Sequence, residues 1–262
     1  IGTDTLTMIK TAFRMKPKME KIYVFLSLML SLFLAACSST NTNMSEMSAE
    51  STVQNAQVAK SEKLGTKWGD EISSNVTEVN LKRLSSSPIA ESQVRYASKT
   101  YTGKAVNSIS LAAGKISFSI INDAQRPLPL FRDGQQYYLS GKDGQSYQLK
   151  YQNHSNSTFE VVASVDGLDV IDGRAASRSN SGYVLRPQGE LIIEGFRKSD
   201  SAVASFTFSR PEDAYAANSD HGSIQNTGVI GTVIYPLQSM AATDKAADAS
   251  KYAPPPKAFP AD

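Results

Sequence analysis

The feature that most restricts the fold of this chain is strict two-residue alternation. Ile116, Phe118 and Ile120 alternate with Ser117 and Ser119. Tyr147, Leu149 and Tyr151 alternate with Gln148 and Lys150, and Phe206 and Phe208 alternate with Ser205, Thr207 and Ser209. Successive side chains of a strand point to opposite faces, so these runs suit half-buried antiparallel strands and cannot line one face of a helix. Phe159–Val165, Glu190–Phe196 and Val229–Tyr235 are more continuously apolar and suit central strands of two packed layers. The punctuation agrees. Asp133-Gly134, Asp143-Gly144 and Asp166-Gly167 are turn dipeptides, because glycine accepts positive φ without strain. Arg186-Pro187-Gln188-Gly189 places Pro at the second position of a turn. Turns recur about every ten residues, the rhythm of a β-sandwich.

The strands expected are Tyr96–Tyr101, Ser117–Ile121, Leu128–Phe131, Gln136–Ser140, Tyr147–Gln152, Phe159–Val165, Tyr183–Leu185, Leu191–Phe196, Ala204–Ser209 and Val229–Tyr235, with Val76–Leu84 as a further N-terminal candidate. No long amphipathic helix interrupts them, although Arg210–Ala217 can form one short helical turn. The fold class implied is all-β: a single antiparallel β-sandwich, immunoglobulin-like or jelly-roll-like, over residues 64–236.

Ahead of that domain, Lys16, Lys18 and Lys21 precede a fifteen-residue apolar run, Ile22 to Ala36, which closes on Leu34-Ala35-Ala36-Cys37. A basic start, a short apolar stretch and small residues form the layout of a secretory signal, and the run is shorter than the roughly 20 residues that span a bilayer. Its last four residues resemble the bacterial lipobox, which implies lipidation of Cys37 as the first residue of the mature chain. Met15 or Met19 would give that signal an ordinary length. Cys37 is the only cysteine, so it has no disulfide partner within the chain, and lipidation accounts for a lone thiol in an exported protein. In signals of this type an Asp after the cysteine favours the inner membrane; Ser38 therefore points to the outer membrane. The organisation expected is a signal and upstream residues over 1–36, a flexible tether over 37–63 and a disordered tail over 237–262. The tether is rich in Ser, Thr, Asn and Ala without apolar periodicity, and the tail carries Pro254-Pro255-Pro256.

The formal charge of +2 is concentrated in the signal: from Cys37 onward there are 22 Lys and Arg against 23 Asp and Glu. No basic run is present, and nucleic-acid binding needs a concentrated positive face. The two histidines, His154 and His221, lie in polar turns, too few for a zinc site. No Gly-x-Ser-x-Gly elbow and no glycine-rich phosphate loop occurs. Asp166, Asp169 and Asp172 recur every third residue, but this is not the alternate-residue pattern of an EF-hand calcium loop. Turn capping is the reading adopted for them, with a loop-sited hydrolase as the weaker alternative. Trp68 is expected to plug one end of the sandwich. Eleven tyrosines, with Tyr137-Tyr138 pointing one ring to each face, raise the alternative of glycan stacking.

The segment Ser164-Val165-Asp166-Gly167-Leu168-Asp169-Val170-Ile171-Asp172-Gly173 is distinctive. It is followed by Gly182-Tyr183-Val184-Leu185, Gly195-Phe196-Arg197 and Gly228-Val229-Ile230-Gly231, and preceded by Leu64-Gly65-Thr66-Lys67-Trp68-Gly69. In this order, from about Leu64 to Tyr235, the motifs resemble a group of uncharacterised proteobacterial lipoproteins and envelope proteins. That group has no assigned activity, so the resemblance implies a single sandwich domain and transfers no catalytic residue. Asp166, Gly167, Asp169, Asp172 and Gly173 are read as a structural loop, with Gly167 and Gly173 bracketing an excursion in which Leu168, Val170 and Ile171 reach the core. The expectation is a non-catalytic, membrane-anchored envelope module, without cofactor or metal, that meets another envelope protein. A carbohydrate or peptidoglycan ligand is the alternative.

Overall fold

The computed structural model describes residues 62–238. Cys37, the signal-like segment, the tether as far as residue 61 and the tail from residue 239 lie outside the described residues. In chain order the strands are β1 (Gly65–Ser73), β2 (Ala90–Ala97), β3 (Lys104–Val106), β4 (Ile109–Leu111), β5 (Ile116–Ile121), β6 (Leu130–Asp133), β7 (Gln136–Ser140) and β8 (Ser146–Asn153). There follow β9 (Phe159–Val165), β10 (Leu168–Asp169), β11 (Tyr183–Leu185), β12 (Glu190–Ile193), β13 (Gly195–Arg197), β14 (Ala202–Ser209) and β15 (Val229–Pro236).

They form the two packed sheets of a β-sandwich. The seven-stranded sheet runs β1-β14-β8-β5-β4, with β13 beside β14 and β12 beside β8. The eight-stranded sheet runs β10-β9-β15-β2-β7-β6-β3, with β11 beside β9. Neighbouring strands pair antiparallel except β2 and β7, which run parallel from Val94↔Tyr137 to Ala97↔Ser140. The alternating residues do what their period requires. Phe118, Leu149, Tyr151, Phe206 and Phe208 from one sheet meet Val94, Leu139, Val161, Val165, Ile230 and Ile234 from the other, all buried in one core. The Tyr147 ring stacks on Phe206 and Phe208, with centroids 5.3 and 4.4 Å away. Each such side chain contributes about 1.5–3 kcal/mol by leaving water.

The expected strand Leu128–Phe131 lies at Leu130–Asp133, and the short strands β3, β4 and β10 were not expected; four further differences have clear local causes. The first strand is Gly65–Ser73, not Val76–Leu84. Its polar sequence hides it, but it pairs along the whole of β14 with a bulge between Trp68 and Glu71. Gly69 sits in that bulge because a Cβ there would lie 2.3 Å from Ser205 Oγ. Beyond Ser73 the chain runs off the end of β14, and its backbone bonds first to the loop before β14 (Ser74 N–H to the Ser201 carbonyl, Val76 N–H to the Asp200 carbonyl) and then to the end of β15 through the Arg83–Leu237 bridge. The Arg83 side chain adds to this hold: it stacks 3.8 Å over the Tyr235 ring, pairs with Glu160 and donates to the Arg178 carbonyl at 2.9 Å. Second, the strand expected at Tyr96–Tyr101 lies earlier, at Ala90–Ala97. Third, Leu191–Phe196 is not one strand. The strands β8 and β14 pair only at Phe206↔Tyr147 and Thr207↔Ser146 and then diverge. The chain fills the wedge by bonding β8 as β12, then β14 as β13. Gly195 allows the crossing, since a Cβ there would stand 1.9 Å from the Ala204 carbonyl oxygen. Fourth, the helical turn expected at Arg210–Ala217 is two 3₁₀ turns, Pro211–Asp213 and Tyr215–Ala217.

Candidate functional site

The motif loop begins as a two-residue hairpin. Val165 pairs with Leu168, leaving Asp166 and Gly167 as the turn at φ +54° and +78°. Two successive left-handed residues match the twist of the flanking strands, which is why Asp-Gly occupies the position. The turn drives the Asp166 side chain inward, where it is 1 % exposed. Its Oδ2 accepts the Thr66 N–H at 2.7 Å, and its Oδ1 accepts the Tyr96 hydroxyl at 2.6 Å and the Gly228 N–H at 2.8 Å. Because Tyr96 donates to the carboxylate, the Thr66 hydroxyl donates to Tyr96 Oη (2.7 Å) and in turn accepts from Tyr147 (2.7 Å). Thr66 and Tyr147 belong to one sheet and Tyr96 to the other. The result is a polar bolt through the sandwich, set where the chain first joins it: the Lys63–Ala97 bridge and the Ser98 N–H to Glu62 bond lie beside Tyr96.

Burial pushes the Asp166 carboxyl up to about 6, while its four hydrogen bonds hold it down against that. Asp169 is also raised to about 6 by burial. Its Oδ1 accepts the N–H groups of Ile171 (2.8 Å) and Asp172 (3.1 Å), and Asp172 Oδ1 accepts the Arg174 N–H at 2.9 Å. Asp169 and Asp172 therefore cap backbone locally, whereas Asp166 binds donors far away in the sequence. Among the described residues no group of three His, Cys, Asp or Glu side chains could hold a metal ion. Gly173 takes φ +67°, and a Cβ on Gly167 would press 3.0 Å against Asn226. Leu168 and Val170 are buried and Ile171 packs at the edge of the core.

Sequence reasoning missed the partners of this loop. Thr66 and Arg197 were in quoted motifs without a role, and nothing marks Tyr96 or Tyr147 apart from other strand tyrosines. Arg197 is 3 % exposed; it donates to the Ser74 carbonyl (2.5 Å) and the Tyr183 hydroxyl (3.1 Å). Trp68 packs on Phe196 and Tyr215, at centroid distances of 6.2 and 4.8 Å. His154 Nε2 is 2.7 Å from Ser117 Oγ at an exposed position, and among the described residues no carboxylate hydrogen-bonds the ring.

The opposite stretch of β2 is built differently. The strands β2 and β7 pair only from Val94 onward, so residues 90–93 have β15 on one side and no strand on the other. The Tyr96 N–H bonds the Gly228 carbonyl, and by ladder alternation the backbone groups of Glu91 and Gln93 turn away from β15. The register at Val94↔Tyr137 gives the Gln93 carbonyl to the Tyr137 N–H, and the remaining groups face a cavity of about 300 Å³ lined by Ser92, Gln93, Ile109, Leu111, Gln135 and Tyr137, among others. Ser92 stands opposite Thr232, whose hydroxyl is 2.7 Å from Tyr151 Oη, whereas the buried Ser92 hydroxyl has no hydrogen-bond partner. On the outer face of the same β6–β7 hairpin, Phe131 pairs with Tyr138, and Tyr101 stacks 4.9 Å from Tyr138 and 6.4 Å from Phe131. Lys99 lies 5.2 Å over Tyr101. Tyr137 and Tyr138 thus point to opposite faces, one lining the cavity and one joining this half-buried aromatic cluster.

Comparison of the chain with protein-family models, curated proteins and solved structures finds no match.

Proposed function

We propose that the protein is a lipid-anchored cell-envelope protein, fixed through Cys37 to the outer membrane and facing the periplasm. Its β-sandwich acts there as a non-catalytic interaction module. The observation that carries this reading is Leu34-Ala35-Ala36-Cys37 closing an apolar run behind three lysines. The motif-loop geometry supports the non-catalytic part, because the Asp166, Asp169 and Asp172 carboxylates are engaged by backbone and tyrosine donors. The partner is another envelope protein. Metabolic labelling with palmitate tests the anchor: labelled product that disappears in Cys37→Ser and a precursor that accumulates with globomycin are expected. Unchanged processing in both would refute it. Crosslinking in intact envelopes tests the module, and recovery of no partner would count against it.

A second reading, a carbohydrate- or peptidoglycan-binding lipoprotein, is favoured by the Tyr101, Phe131 and Tyr138 cluster, since sugars stack on partly exposed aromatic rings. Co-sedimentation with peptidoglycan sacculi that is lost in Tyr138→Ala is the expected result; no retention of the unaltered protein would dispose of it.

A further inference from the structure

The cavity beside β2 combines features that a purely structural gap does not need. At about 300 Å³ it lies at the small end of ligand sites. Ile109 and Leu111 give it an apolar wall and Tyr137 an aromatic one. Beside these are the buried Ser92 hydroxyl, which has no hydrogen-bond partner among the described residues, the exposed side-chain amides of Gln93 and Gln135, and the open strand edge at Glu91 and the Gln93 N–H. A buried hydroxyl without a partner is uncommon and calls for a reason.

The lining also says what does not fit. Glu91 is committed to Arg178 at 2.8 Å, and the remaining charge on the rim is the single Arg95, which is no cradle for a phosphate. One carboxylate cannot hold a divalent cation. A wholly apolar ligand would leave every polar group unpaired. The ligand class that answers all of these is small, neutral and amphipathic, with several hydroxyls, an amide and a methyl group.

We infer that this cavity binds an N-acetylated hexosamine. The pyranose ring lies against Tyr137. The acetamido methyl rests on Ile109 and Leu111, and the amide and hydroxyls meet Ser92, Gln93, Gln135 and the open β2 backbone. The inference rests on the glycan reading above and gives it a location separate from the outer aromatic cluster. The site lies toward the start of β2, while the Lys63–Ala97 bridge lies at the end of the same strand.

The test is titration calorimetry of the full chain in detergent micelles with di-N-acetylchitobiose, using cellobiose as its non-acetylated counterpart. Chitobiose is expected to bind and cellobiose to bind about tenfold more weakly. Ser92→Val and Gln135→Ala are each expected to weaken chitobiose about tenfold, the cost of one lost hydrogen bond, while Tyr138→Ala leaves it unchanged. Gln135 is exposed, so its variant keeps the fold. Equal binding of cellobiose would overturn the acetamido assignment. Binding that survives Ser92→Val and Gln135→Ala but fails in Tyr138→Ala would refute the cavity and leave the glycan reading standing. No binding by the unaltered chain, together with no retention on sacculi, would refute both. Release of the protein from sacculi by chitobiose would identify the sugar as one borne by the wall, and chitobiose binding without sacculus retention would identify a soluble saccharide.

Discussion

The Asp166 bolt and the β2 cavity both set polar atoms between the same two sheets, and they stand in opposite states. In the bolt the carboxylate meets four donors, and the Thr66 and Tyr96 hydroxyls each both give and accept a hydrogen bond. In the cavity the buried Ser92 hydroxyl has no partner among the described residues, beside an open strand edge at Glu91. Buried polar groups raise stability only when satisfied, so the first arrangement supports the fold and the unpartnered Ser92 hydroxyl of the second costs stability. The most conspicuous motif of the sequence therefore marks where the sandwich is locked, and the part suited to a ligand lies where the sequence is plainest.

That contrast yields graded expectations. Asp166→Ala should have the largest effect, a loss of about 4 kcal/mol in urea unfolding, because it strands the Thr66 and Gly228 amides and the Tyr96 hydroxyl between the sheets. The pH dependence comes next. Asp166 and Asp169 are raised by burial from 3.8 to about 6, so the folded chain keeps those protons to higher pH than the unfolded chain does. Between about pH 4 and 6 the native state binds more protons. Stability should fall through that window by about 3 kcal/mol for each group and level off above it. Unfolding at pH 4, 5, 6 and 7 measures this, and Asp169→Asn should remove about half of the slope. Tyr147→Phe removes the first donor of the hydroxyl chain and should cost about 1–2 kcal/mol. The smallest effect carries the opposite sign. Ser92→Val deletes an unsatisfied hydroxyl beside empty volume and should raise stability by up to about 1 kcal/mol while impairing the site. A loss of stability in Ser92→Val would break the comparison.

The sandwich was legible because its strands announce themselves by side-chain alternation or by continuous apolar runs: β7, β9 and β11 fall where Gln136–Ser140, Phe159–Val165 and Tyr183–Leu185 were expected. The turn at Asp166-Gly167 was legible because two positive φ values leave few residue choices. The first strand was not, since Thr66 to Ser73 is recruited by β14 rather than by its own pattern. Neither was the break at Glu194, which follows from the divergence of β8 and β14, two strands about 60 residues apart in sequence. The bolt was half legible. Asp166 was singled out as a turn residue, but its reach across the sandwich depends on Thr66, Tyr96 and Tyr147, which come together only through the sheet order. The cavity had no local signal, because it arises from where β7 begins relative to β2.

The most direct test of the bolt is amide hydrogen exchange at Thr66 and Gly228, the two backbone donors on the Asp166 carboxylate with the shortest bonds. In the unaltered protein both amides should exchange only through global unfolding. In Asp166→Asn both should exchange through local opening, at least tenfold faster than the amides in the middle of β9. If both keep their full protection in the variant, the carboxylate does not hold the sheets together, and the assignment of the motif loop to architecture is wrong.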